Sequence, residues 1–187
     1  MCNMYNNMDP NQFYPKPFYY NPYLSNPKPY YGQNLLFDNH TPIPGKKHNT
    51  IELKDYGPDP LVVDIEDATK QNNNFRMALW TGNHFQVTLM SIGVGEDIGL
   101  EMHPDVDQFL RIEEGQGLVR MGDRQDRLDF QKSVKDDFAI IIPAGKWHNL
   151  INTGNIPIKL YSIYAPPEHP WGTVHKTKAE SDEAHHH

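Results

Sequence analysis

Four polar side chains have types and spacing that could do chemistry together: Glu101, His103, Gln108 and His148. In an extended chain alternate residues share a face, so Glu101 and His103 point the same way. Residues 104–107 turn the chain, and Gln108 opens the next strand, on which Gln108, Leu110 and Ile112 share a face. Farther on, Pro143-Ala144-Gly145 reads as a turn and His148 opens the strand after it. If these faces point into one barrel, two imidazoles, one carboxylate and one amide oxygen converge. That set can bind one divalent metal ion and leaves coordination positions open to water or substrate.

The elements that must position these residues are short. Leu61-Val62-Val63 reads as a strand, and residues 64–71 as a short helix with Asp64 as N-cap and Asp67 in its first turn. Strand-like runs follow at 75–81, 84–92, 108–112, 117–121, 138–142, 149–152 and 158–164. Turn signals separate them, among them Thr81-Gly82-Asn83, Met121-Gly122-Asp123 and Asn152-Thr153-Gly154-Asn155. Many short strands broken by turns point to an all-β sandwich or an antiparallel barrel, and closing the sheet removes exposed edges. Ala165-Pro166-Pro167 ends the last strand and stiffens the loop after it.

At this point the sequence resembles the cupin family. One family motif is Gly, five residues, His-x-His, three or four residues, Glu, six residues, Gly. The chain has Gly95, five residues, Glu101-x-His103, four residues, Gln108, six residues and Gly115. The other motif is Gly, five residues, Pro-x-Gly, two residues, His, three residues, Asn, and here Asp137 precedes Pro143, Gly145, His148 and Asn152. The spacing matches throughout, while Glu101 replaces the first histidine, Gln108 the glutamate and Asp137 a glycine. The resemblance covers residues 95–152. It implies a double-stranded β-helix of jelly-roll type and one divalent metal (Mn, Fe, Co, Ni or Zn) on Glu101, His103, Gln108 and His148. With one carboxylate among its ligands the bound ion keeps a charge of about +1, which attracts an anion or polarises a carbonyl. Zinc-dependent phosphomannose isomerases, also cupins, use two His, a Glu and a Gln. The implied function is a metalloenzyme acting on a small oxygen-rich substrate such as a sugar or keto acid. The rivals are an Fe(II) dioxygenase and a non-catalytic ligand-binding or coat-assembly cupin.

Other residues weigh less. Asp105 and Asp107 are candidates to orient a ligand histidine, and Glu168 and His169 to reach the barrel mouth as acid or base. His84 stands at the start of a strand, and strand parity turns Trp147 and Arg111 away from the site.

The chain falls into an arm (1–45), a cupin domain (46–175) and a charged, frayed tail (176–187) ending in three histidines that read as a tag remnant. Seven of its ten tyrosines and half of its sixteen prolines lie in the arm. Proline at that density disfavours a regular helix or central strand, so the arm reads as extended or disordered, resembling the extensions of some spore-coat proteins, with an assembly partner. A net charge of −7 argues against nucleic acid or anionic membrane as partner. No apolar run approaches membrane-spanning length and no secretory signal is visible. The lone Cys2 excludes an internal disulfide, which fits a cytoplasmic protein, with the spore coat as the other location. The cupin resemblance further implies a homodimer.

Overall fold

The computed structural model describes residues 50–184. The expectations for the arm, Cys2 and the last three histidines lie outside these residues. The described chain is a helix α1 (Ile65–Gln71), eight strands β1 (Arg76–Thr81), β2 (Gln86–Ile92), β3 (Asp107–Glu114), β4 (Gln116–Gly122), β5 (Phe130–Lys135), β6 (Ala139–Ile142), β7 (Trp147–Asn152) and β8 (Ile158–Ala165), a two-residue strand β9 (Val174–His175) and a helix α2 (Lys178–Ala184). All pairings are antiparallel. They form a six-stranded sheet in the order β6-β3-β8-β2-β1-β9 and a three-stranded sheet in the order β5-β4-β7. This is the jelly-roll barrel of the cupins. Among the described residues no helix is long and apolar enough to cross a membrane.

The sheets enclose one apolar cluster that draws on both, including Met90, Leu110, Ile112, Val119, Leu150 and Leu160. Strand periodicity decides who enters it: Met90, Ile112 and Leu160 lie in register across β2, β8 and β3. The opposite faces of β1 and β2 carry Met77, Leu79 and Leu89 into a second cluster with Ala68 of α1, covered by Ile51, Leu53, Tyr56, Leu61 and Val63. The first four residues of β1 are therefore all buried, since both faces of that strand are covered.

Local departures from the sequence reading have physical reasons. Residues 61–63 form no strand. Leu61 and Val63 pack under the outer cluster while Val62 is fully exposed, and the segment lies over the sheet instead of within it. The helix begins as expected, with Asp64 Oδ1 accepting from the Asp67 amide at 3.1 Å, and a Glu66–Lys70 pair supports it. β5 escapes a hydrophobicity reading because only Val134 of its six residues is buried. The tail is not frayed up to residue 184: α2 docks, with Ser181 buried.

The glycine positions of the two motifs are explained by backbone geometry. Asp137, which stands where the family has glycine, has φ of 71°. The position needs the left-handed region, and aspartate is among the few residues that enter it readily. Gly115 has φ of 94°, and a Cβ there would lie 2.9 Å from the Pro157 carbonyl oxygen and 3.0 Å from Ile158 Cα. Gly95 also has positive φ but open space around it. Gly95→Ala is expected to cost about 1 kcal/mol and Gly115→Ala about 2–4 kcal/mol, because only the second adds a collision with backbone. Urea denaturation of the two variants measures this, and equal midpoints would contradict the assignment.

Candidate metal centre

The chain between β2 and β3 supplies the first two residues of the centre. Residues 96–103 run beside β7, through Ile98 N–H to Leu150 O, a reciprocal pair between Glu101 and His148, and Gly145 N–H to His103 O. Glu101 therefore lies in an isolated bridge opposite His148, not in a regular strand as the alternation argument assumes. The pairing of Glu101 with His148 brings residues 47 apart in sequence into contact. Their backbone bonds are 3.1 and 2.9 Å.

The side chains converge. Donor atoms of Glu101, His103 and His148 all lie within 4.8 Å of one another. Glu101 Oε1 is 3.3 Å from His148 Nε2 and 3.6 Å from His103 Nε2. Two atoms bound to one ion at about 2.1 Å stand roughly 3.0 Å apart at a right angle and no more than about 4.2 Å apart in line. Both separations fall inside that range. Gln108 faces the same interior from β3: its Nε2 donates to Ser162 Oγ at 3.2 Å, and its buried Oε1 has no hydrogen-bond partner.

The far side of each imidazole fixes which nitrogen faces inward. His148 Nδ1 is 2.9 Å from the Lys146 carbonyl oxygen, which can only accept, so Nδ1 carries a proton and Nε2 is the nitrogen that faces Glu101. His103 Nδ1 is 3.1 Å from Glu168 Oε1 and donates to it, which directs His103 Nε2 inward as well. His103 and His148 share hydrogen bonds with Glu101, and when both imidazoles lose those protons two nitrogen lone pairs and a carboxylate oxygen are left facing one another. A cation placed among them removes the repulsion, so the donor set fits a metal ion.

Arg76 completes the charge balance. It is 1% exposed, its guanidinium donates to Ser181 Oγ at 2.8 Å, and it stands 3.9 Å from Glu101 Oε2. Burial pushes the Glu101 carboxyl up, but His103, His148 and the Arg76 charge outweigh burial and hold it well below the usual carboxylate range. Burial pushes His103 down, and Glu101 and Glu168 outweigh it to raise His103 above its ordinary value. Burial holds the Tyr164 phenol above its usual range, so it stays a neutral hydrogen-bond donor.

The structure thus brings Glu101, His103 and His148 together and places Gln108 in the same interior. Asp105 and Asp107 do not orient a histidine. Asp107 instead accepts from the Ala144 amide at 2.9 Å and staples the turn before His148. That orienting role falls to Glu168, while His169 is buried with its N–H on Gln86 Oε1. His84 precedes β2 and is exposed. Sequence reasoning missed Arg76, whose only signal was a charge in an otherwise apolar run (Phe75-Arg76-Met77-Ala78-Leu79).

A cupin-domain family model matches residues 88–164, which contain all four candidate ligands. The chain belongs to the cupin family and is a small cupin-domain protein. It is 72% identical over 129 residues to the uncharacterized protein YrkC of Bacillus subtilis, covering 69% of each chain. It is 38% identical over 121 residues to the uncharacterized protein L612 of Acanthamoeba polyphaga mimivirus, covering 64% of this chain and 74% of that one. The crystal structure of BH2720 from Bacillus halodurans superposes with a TM-score of 0.70 at 69% identity, covering 70% of this chain and 99% of the other.

Glu168→Gln keeps a hydrogen-bonding side chain beside His103 Nδ1 but removes the charge. It is expected to weaken metal binding by about 10- to 100-fold with little change in thermal stability. Competition with a chromophoric chelator measures it; unchanged affinity would show that Glu168 does not tune His103.

Proposed function

We propose that this cupin binds one divalent metal ion through Glu101, His103, His148 and Gln108 Oε1, and that it acts on a small oxygen-rich molecule such as a sugar or keto acid. The observation that carries the reading is the convergence of three donor groups within 4.8 Å, with both histidines oriented from behind. Bound there, the ion supplies Lewis-acid polarisation of a carbonyl or hydroxyl oxygen, the chemistry of isomerisation.

The chain's own residues divide the remaining work. Lys146 O and Glu168 hold the protons on His148 Nδ1 and His103 Nδ1, so neither ring can turn its protonated nitrogen inward. His103, His148 and Arg76 keep Glu101 ionised, and Arg76 is itself tied to Ser181. Leu110, Ile112 and Leu160 floor the interior and exclude water from below, which strengthens every charge interaction above them. Glu168 lies on the rim, and its side chain keeps 29% of its exposure, so it stands where a substrate enters.

Elemental mass spectrometry on the protein freed of its terminal histidines is expected to find about one equivalent of metal, lost in a His103→Ala, His148→Ala double variant. Absence of metal after anaerobic reconstitution with manganese, iron, cobalt, nickel and zinc would overturn the reading. The reconstituted protein is then assayed for isomerisation across a panel of sugars.

A further inference from the structure

Tyr164 is fully buried, and its Oη has no hydrogen-bond partner among the described residues. Interiors rarely leave a hydroxyl in that state, because its lost hydration goes uncompensated. Its neighbours cannot serve it well. Gln86, beside it on β2, has its amide taken up by Thr81 Oγ1 at 2.8 Å, His169 O at 2.9 Å and the His169 N–H at 3.0 Å. Ser162 Oγ approaches Oη closely enough to favour the phenolate slightly, but it already receives Gln108 Nε2 and its geometry toward Oη falls short of a hydrogen bond.

The position of the ring is fixed. Tyr164 lies in register between Gln86 and Gln108, on the inward face of β8. Its ring meets His103 edge-on at 5.8 Å and His169 edge-on at 5.0 Å. The next strand neighbour, Gln108, has the other partnerless polar atom of that row, Oε1. An unserved donor, the Tyr164 hydroxyl, therefore stands beside the histidine whose Nε2 faces Glu101, and its row neighbour Gln108 offers the Oε1 assigned to the metal.

From this placement we infer that the interior recognises a ligand with oxygens on adjacent carbons, such as an α-hydroxy acid, in which one oxygen goes to the metal and its neighbour accepts a hydrogen bond from Tyr164 Oη. This inference rests on the metal reading above and names the substrate class for the same site. A ligand with a single oxygen serves the metal or the phenol but not both. An apolar ligand leaves the phenol as costly as before.

The test compares the full chain with Tyr164→Phe, which keeps the ring and removes only the hydroxyl. Thermal unfolding without metal comes first: a hydroxyl kept for a ligand adds nothing to the empty protein, so the variant melts no lower than wild type. Both proteins are then loaded with Co(II) and titrated with glycolate, and separately with acetate, which lacks the hydroxyl on the adjacent carbon. The expected result is one Co(II) bound by each, glycolate binding weakened roughly three- to tenfold in the variant, and acetate binding unchanged. A lower melting temperature for the variant overturns the inference, since the hydroxyl is then structural. So does glycolate binding no tighter than acetate to wild type, or equal effects of the substitution on both. Failure of wild type to bind Co(II) is seen before any comparison; it removes the metal reading and this inference with it.

Discussion

A carboxylate held largely out of water governs this structure. Glu101 sits where desolvation alone would neutralise it, and it stays ionised because His103, His148 and Arg76 surround it. Each partner arrives from a different element: His103 from the same connection, His148 from β7, Arg76 from β1. Three segments of the chain thus meet at this one charge. The barrel is therefore held by more than its apolar cluster, and the same contacts that hold it define the candidate metal centre.

The interior is graded along the strands. One cross-strand row reads Gln86, Tyr164 and Gln108, the next Thr88, Ser162 and Leu110, the next Met90, Leu160 and Ile112. Polarity falls over three steps of the same register, from groups that meet a ligand to groups that only pack. Because each step is two residues along every strand, a slip of one residue would reverse the order and turn the outer cluster inward. Chemistry at one end and packing at the other thus specify the same register.

Much of the centre was legible because motif spacing and strand periodicity describe local geometry. Glu101, His103 and His148 are placed by turns whose residues are adjacent in sequence, and the left-handed position of Asp137 shows what its motif requires of the backbone. Arg76 and Glu168 were not legible as partners. They lie 25 residues before Glu101 and 65 residues after His103, and nothing in either segment marks its destination. β5 was hidden for another reason: a strand with one buried side chain has no alternation to read. The helical tail was hidden because its composition is charged and its hold on the barrel rests on two contacts, Ser181 with Arg76 and Lys178 with Asp97.

Those two contacts also order events during synthesis. Lys178 reaches Asp97, whose segment is bridged to β7 of the smaller sheet, while Ser181 reaches Arg76 on β1 of the larger one. The last helix is the seam between the sheets on that side. Arg76 and Ser181 are 105 residues apart, so the partner that anchors the arginine is made well after it. At about 5–20 residues per second, Glu101 emerges some 4 to 16 seconds before Ser181 does. Through that interval the growing chain carries a carboxylate and an imidazole without their full enclosure. Completion of the centre therefore waits on a residue made after all of its candidate ligands.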